Sequence, residues 1–97
     1  MGEKYESLDP LLSSPVRLAV VSILVKVKQA RFQTLLDGTD TTQGNMSQQL
    51  KRLGEEGYIK IEKTYKDNYP HTVCTITPKG RKAFERYVEE MKRYLNL

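Results

Sequence analysis

The side chains best equipped for chemistry crowd into one short stretch. Thr41, Thr42, Gln43, Gly44, Asn45, Ser47 and Gln48 come first, and Lys51 and Arg52 follow. An amide side chain donates and accepts at once, so Gln and Asn here could pair with both polar atoms of an adenine edge. The Thr and Ser hydroxyls could bond base edges or phosphate oxygens. Gly44 has no side chain and would let the backbone of a helix start approach a phosphate. Lys51 and Arg52, further along, suit phosphates or guanine. The plainer alternative is a solvated polar helix face. A second group, Lys63, Lys66, Asn68 and His71, brackets a turn-forming run. Cations and Asn at the tip of a hairpin are useful in a minor groove or on its phosphates. An ordinary surface turn is the alternative there, and Asp67 speaks for it. Arg17, Arg31 and Arg81, near helix starts, could touch phosphates or simply face solvent.

Other chemistries find little support. His71 is the one histidine and Cys74 the one cysteine. A His-activated nucleophile would depend on a single loop residue, and neither an internal disulfide nor a cysteine zinc site can form. Glu55-Glu56 and Glu89-Glu90 are adjacent on helices, so each pair points about 100° apart. No phosphate-binding glycine loop occurs. We expect no enzyme activity, no cofactor and no metal. Net charge is +4 with pI near 9.2, and the excess sits in the C-terminal 40 residues. A mildly basic chain suits a polyanion. The longest apolar stretch, 18–25, is broken by Ser22 and stopped by Lys26, too short for a bilayer. The N-terminal MGEKYESLDP is not a secretory signal. A cytoplasmic protein with no membrane partner is expected.

The elements that must position these residues follow from the spacing. With 97 residues there is room for one domain, 1–97. Ser14-Pro15 opens a helix over about 14–28, whose apolar positions recur at three-to-four spacing. Gln29 to Arg31 reads as a short extended link. Phe32, Leu35 and Leu36 make a short helix, about 32–37, with Gly38 as its C′ residue. Met46, Leu50 and Leu53 mark a third helix, about 42–56, stopped by Gly57. The period then changes to two. Tyr58 to Lys63 and Thr72 to Ile76 alternate around a turn at 66–70, giving an open-tipped hairpin over about 58–77. Thr77-Pro78 starts a last helix, about 78–95. Taking Met46 as the inward direction, the far side of the third helix carries Gly44, Gln48, Lys51 and Glu55, flanked by Asn45, Ser47 and Arg52.

The last helix is longer than a core of this size needs. Its distal stripe of Tyr87, Met91, Tyr94 and Leu95, with Tyr5, Leu8, Leu11 and Leu12 at the other end of the chain, is expected to form a dimer interface. The alternative is that both ends pack on their own core.

Helix, short helix, helix, hairpin, helix is the order of a winged helix-turn-helix. The residues resemble a known group as well. LDPLLSSPVRLAVVSIL (8–24), GNMSQQLKRLGEEGYIKIEK (44–63) and TITPKGRKAFERY (75–87) are similar to the short winged-helix transcriptional regulators related to the MarR and ArsR groups. The resemblance covers about residues 8 to 90. It implies a mainly α fold with a small β-hairpin, an α+β winged helix-turn-helix with a C-terminal dimerisation helix. It also implies binding to double-stranded DNA; by helix-turn-helix geometry the third helix is expected in the major groove and the wing near the minor groove, and the homodimer expected from the long last helix would meet a pseudopalindromic operator. A winged-helix protein–protein interaction module is the alternative. It should offer an apolar patch where this third helix offers Gln43, Asn45, Ser47 and Gln48.

Overall fold

The computed structural model describes residues 4–97, so the first three residues of the expected domain lie outside it. The chain runs α1 (Pro15–Val27), β1 (Gln29–Arg31), α2 (Phe32–Asp37), α3 (Gln43–Glu55), β2 (Ile59–Lys66), β3 (Tyr69–Ile76) and α4 (Pro78–Leu95). Three of the four helices start on a hydroxyl cap. Ser14, Thr42 and Thr77 accept from Arg17 N, Asn45 N and Gly80 N, and Pro15 and Pro78 occupy first-turn positions where no amide proton is missed.

The Gln29–Arg31 segment corrects the expected link. It is a third strand, and the sheet order is β1-β3-β2. Lys28 turns the chain out of α1 at φ 77°, and its carbonyl accepts from Ile76 N at 3.0 Å. That delivers Gln29, Ala30 and Arg31 antiparallel to Thr75, Cys74 and Val73. Three residues have too little alternation to be read as a strand, because β3 supplies the partner. The hairpin tip is also tighter than expected. β2 and β3 pair out to Lys66 and Tyr69, leaving Asp67 and Asn68 at φ 52° and 67°. Two central residues at positive φ match the strand twist, and Asp and Asn tolerate it.

Gly57 and Gly38 close their helices differently. Gly57 has φ 78°. Its N–H reaches Gly54 O at 3.0 Å, and Tyr58 N reaches Leu53 O at 3.0 Å, which satisfies two terminal carbonyls of α3. Gly38 was expected as the residue beyond α2. It is the cap itself at φ −85°, where an added Cβ would lie 3.1 Å from Ile23 Cδ1 and that side chain would have to give by a few tenths of an ångström. At Gly80, α4 passes so close to the chain entering β2 that a Cβ would collide with the Tyr58 carbonyl.

The core gathers α1, α2, α3 and the inner face of the sheet. Leu24, Leu35, Met46, Leu53 and Cys74 are fully enclosed. Burial pushes the Cys74 thiol up to about 11, so it behaves as a small apolar group. Leu11, Leu12 and Tyr87 belong to this core, which corrects their assignment to a dimer interface. Leu12 is 0% exposed and has no surface left for a partner. The reason is a turn after Asp9. Leu11 N donates to Asp9 Oδ1 at 2.9 Å, and Tyr58 O–H donates to Asp9 Oδ2 at 2.5 Å, folding the segment back over the α1 start. Leu8 and Met91 are half-buried against the same core, whereas Tyr5, Tyr94 and Leu95 stay exposed. No helix among the described residues is long and apolar enough to cross a membrane.

Candidate nucleic-acid interface

The α3 helix is fixed in rotation by three inward side chains. Met46, Leu50 and Leu53 are buried, and the helix packs on α1 and β2. Gln43, Gly44, Ser47, Gln48, Lys51 and Arg52 are consequently exposed. This is the face expected from 100° per residue. At Gly44 an added Cβ would meet nothing within 4 Å, so the backbone of the first turn is open. Thr42 accepts from Asn45 N at 3.1 Å and is committed as the cap.

Thr41 and Asn45 stand differently. Both are only partly exposed, and their side chains bond to each other. Asn45 Nδ2 donates to Thr41 Oγ1 at 2.7 Å, and Asn45 Oδ1 accepts from Gln49 Nε2 at 3.0 Å. Both amide atoms of Asn45 are engaged inside the chain, so the expected bidentate pairing with a base would break two existing bonds. Gln49 in turn accepts from Arg17 Nη1. Burial first, then the neighbouring charge of Arg52, lowers the Arg17 pKa. Gln49 was not singled out from the sequence, although Thr41, Asn45 and Gln49 are spaced by four and so line one helix stripe. The Arg17 partner lies 32 residues away and leaves no such signal.

The hairpin residues divide between its faces. Cross-strand partners share a face, and successive residues alternate. Ile61 with Cys74 defines the inner face, so Lys63 with Thr72 and Tyr65 with Pro70 continue it outward. Thr64 with His71 and Lys66 with Tyr69 lie on the other face. Asn68 is at the tip. Lys63 therefore joins α3, and both line a groove together with Phe32, Gln43, Ser47, Lys51, Glu55, Lys60 and Ile61. Lys66 and His71 are not brought to that groove. Tyr65, missed in the sequence, is 79% exposed beyond Lys63.

Four helices with a three-stranded antiparallel sheet, and a long hairpin standing beside the third helix, define a winged helix. The chain belongs to the winged helix DNA-binding domain family, whose model matches residues 16–95. An uncharacterized protein of Methanocaldococcus jannaschii is 31% identical over 81 residues, covering 84% of this chain and 88% of that one. Among solved structures, a transcriptional regulator homologue from Pyrococcus horikoshii OT3 superposes with TM-score 0.81 at 29% identity, covering 89% of this chain and 85% of the other. A MarR family regulator from Enterococcus faecalis V583 gives TM-score 0.70 at 18% identity over 89% and 76%. An ArsR family regulator gives 0.61 at 19% over 89% and 84%. The last two share the fold. The expected winged helix-turn-helix fold holds.

Proposed function

We propose that this chain is a homodimeric, sequence-specific regulator of transcription that acts in the cytoplasm on double-stranded DNA. The α3 helix lies in the major groove and the β2–β3 hairpin runs beside the neighbouring minor groove. One observation carries the reading. The core holds α3 by Met46, Leu50 and Leu53, and so presents Gln43, Ser47, Gln48, Lys51 and Arg52 outward on a rigid element. The groove between α3 and the hairpin supports it. Lys51, Lys60 and Lys63 line that groove against the single carboxylate of Glu55, and this positive excess suits a phosphate strand.

Two copies joined near the C-terminal turns of α4 would present two recognition helices to a pseudopalindromic operator, with half-sites about 34–36 Å apart. The test is duplex binding against salt. A dimer neutralising about six phosphates gives log K against log salt a slope near −5. A flat salt response, or no duplex binding at low salt, would overturn this function.

A further inference from the structure

Four side chains join α1 to the start of α3 in a line of hydrogen bonds. Arg17 Nη1 donates to Gln49 Oε1, Gln49 Nε2 donates to Asn45 Oδ1, and Asn45 Nδ2 donates to Thr41 Oγ1. Arg17 is itself held by its Nε donating to the Leu11 carbonyl at 2.7 Å. The direction of this line is not free. Arginine only donates. Gln49 must therefore turn its oxygen toward Arg17 and its nitrogen toward Asn45. Asn45 must then show oxygen to Gln49 and nitrogen to Thr41. The Thr41 oxygen accepts, and its own hydroxyl donates to no acceptor among the described residues, which leaves that proton for a partner. Had the line begun on a carboxylate, every group along it would point the other way.

We infer that Arg17 and Gln49 are positioning residues for DNA recognition, which act through Asn45 to hold Thr41 as a hydrogen-bond donor toward an acceptor on the DNA. The inference rests on the DNA-binding function proposed above. It takes Asn45 out of base reading and assigns it to orientation. The acceptor is a phosphate oxygen or a base-edge oxygen or nitrogen. These share one chemistry and differ in what they do to sequence preference.

The test is a double-mutant cycle on binding. The probes are a duplex recovered by the wild-type protein from a random 20-base-pair pool, and the unselected pool itself. Gln49→Met keeps length and charge but breaks the line. It should lower affinity for the recovered duplex about tenfold, as Thr41→Val should, the size expected for one hydrogen bond to DNA. The double variant should lose no more than either single one, because each removes the same donor. Thr41→Ser should restore binding. Gln49→Glu keeps the Arg17 bond, and so the fold, but reverses the line: Glu only accepts, so Asn45 turns and Thr41 donates inward. Adding Thr41→Val to Gln49→Glu should then cost nothing further. A merely structural role for Gln49 would shift the melting temperature and leave the two sites additive. A loss on the recovered duplex alone assigns the acceptor to a base, and an equal loss on both probes assigns it to a phosphate. Additive losses, or wild-type affinity in Gln49→Met, would overturn the inference while the DNA-binding function stands. Failure of the wild-type protein to bind either probe would overturn that function, and the inference with it.

Discussion

The rings of Tyr5 and Tyr94 lie 5.1 Å apart, tilted by 49°, at opposite ends of the sequence. Tyr94 O–H also donates to the Glu6 carbonyl at 2.8 Å, and Arg86 reaches both Glu6 and Glu90. The N-terminal segment is thereby laid along α4. Tyr5 and Tyr94 remain 55% and 48% exposed, and Leu95 beside them is 59% exposed. With Leu11, Leu12 and Tyr87 assigned to the core, these three and the half-buried Leu8 and Met91 are what is left of the expected interface.

Leu95→Glu should separate a dimer without unfolding the protomer. The side chain has no core contact to lose, but a charge at the centre of an apolar contact goes uncompensated. Sedimentation velocity should show the variant as a monomer at concentrations where the wild type is a dimer, with the melting temperature extrapolated to low concentration unchanged. A dimer that survives Leu95→Glu places the interface elsewhere.

Leu12→Ala should act the other way. A fully buried Leu cut to Ala costs about 2–5 kcal/mol through lost burial and a residual cavity. Urea unfolding should report that loss at every protein concentration. A loss that appears only at concentrations where the dimer forms would return Leu12 to the interface.

Gln48 and Lys51 should separate readout from attraction. Gln48→Ala should reduce discrimination between recovered and random duplex by about 1–3 kcal/mol, the value of a bidentate base contact. Lys51→Ala should weaken both duplexes alike and flatten the salt slope by about 1 if it holds a phosphate. Parallel titrations at several salt concentrations measure both. Identical, sequence-independent effects would remove Gln48 from base reading.

Tyr58 sets an alkaline limit. Burial first, then the hydrogen bond and charge of Asp9, push its phenol up to about 12 from 10.0. The folded state keeps this proton where the unfolded chain has released it. The resulting stabilisation is complete below pH 10 and is lost as pH rises toward 12. Denaturant melts between pH 10 and 12 should therefore show wild-type stability falling more steeply than that of Tyr58→Phe. Equal slopes would show that the Asp9 contact does not hold the proton.

Much of this protein was legible in local pattern. Helical periodicity at Met46, Leu50 and Leu53, with polar residues opposite, determined which face of α3 turns outward. Hydroxyl-proline starts determined where α1 and α4 begin. These signals are short-range, because a helix repeats within four residues and a cap within three. The exposed candidates Gln43, Ser47, Gln48, Lys51 and Arg52 came from that level, and the fold leaves them where the periodicity put them.

Tertiary structure decided what depends on distant partners. Gln29–Arg31 became a strand only because β3 lies open beside it. Leu11 and Leu12 entered the core because Asp9 anchors to Tyr58, 49 residues away, and Tyr87 because α4 packs back on α1. Lys63 parted from Lys66 and His71 because an antiparallel register assigns each residue its face. Asn45 looked like a base reader by its type and its helix position. Its two amide atoms are spoken for by Thr41 and Gln49, and Gln49 is oriented by Arg17 from another helix. Side-chain type sets what a residue can bond; which of those bonds remain free is set by neighbours that the fold brings within 3 Å.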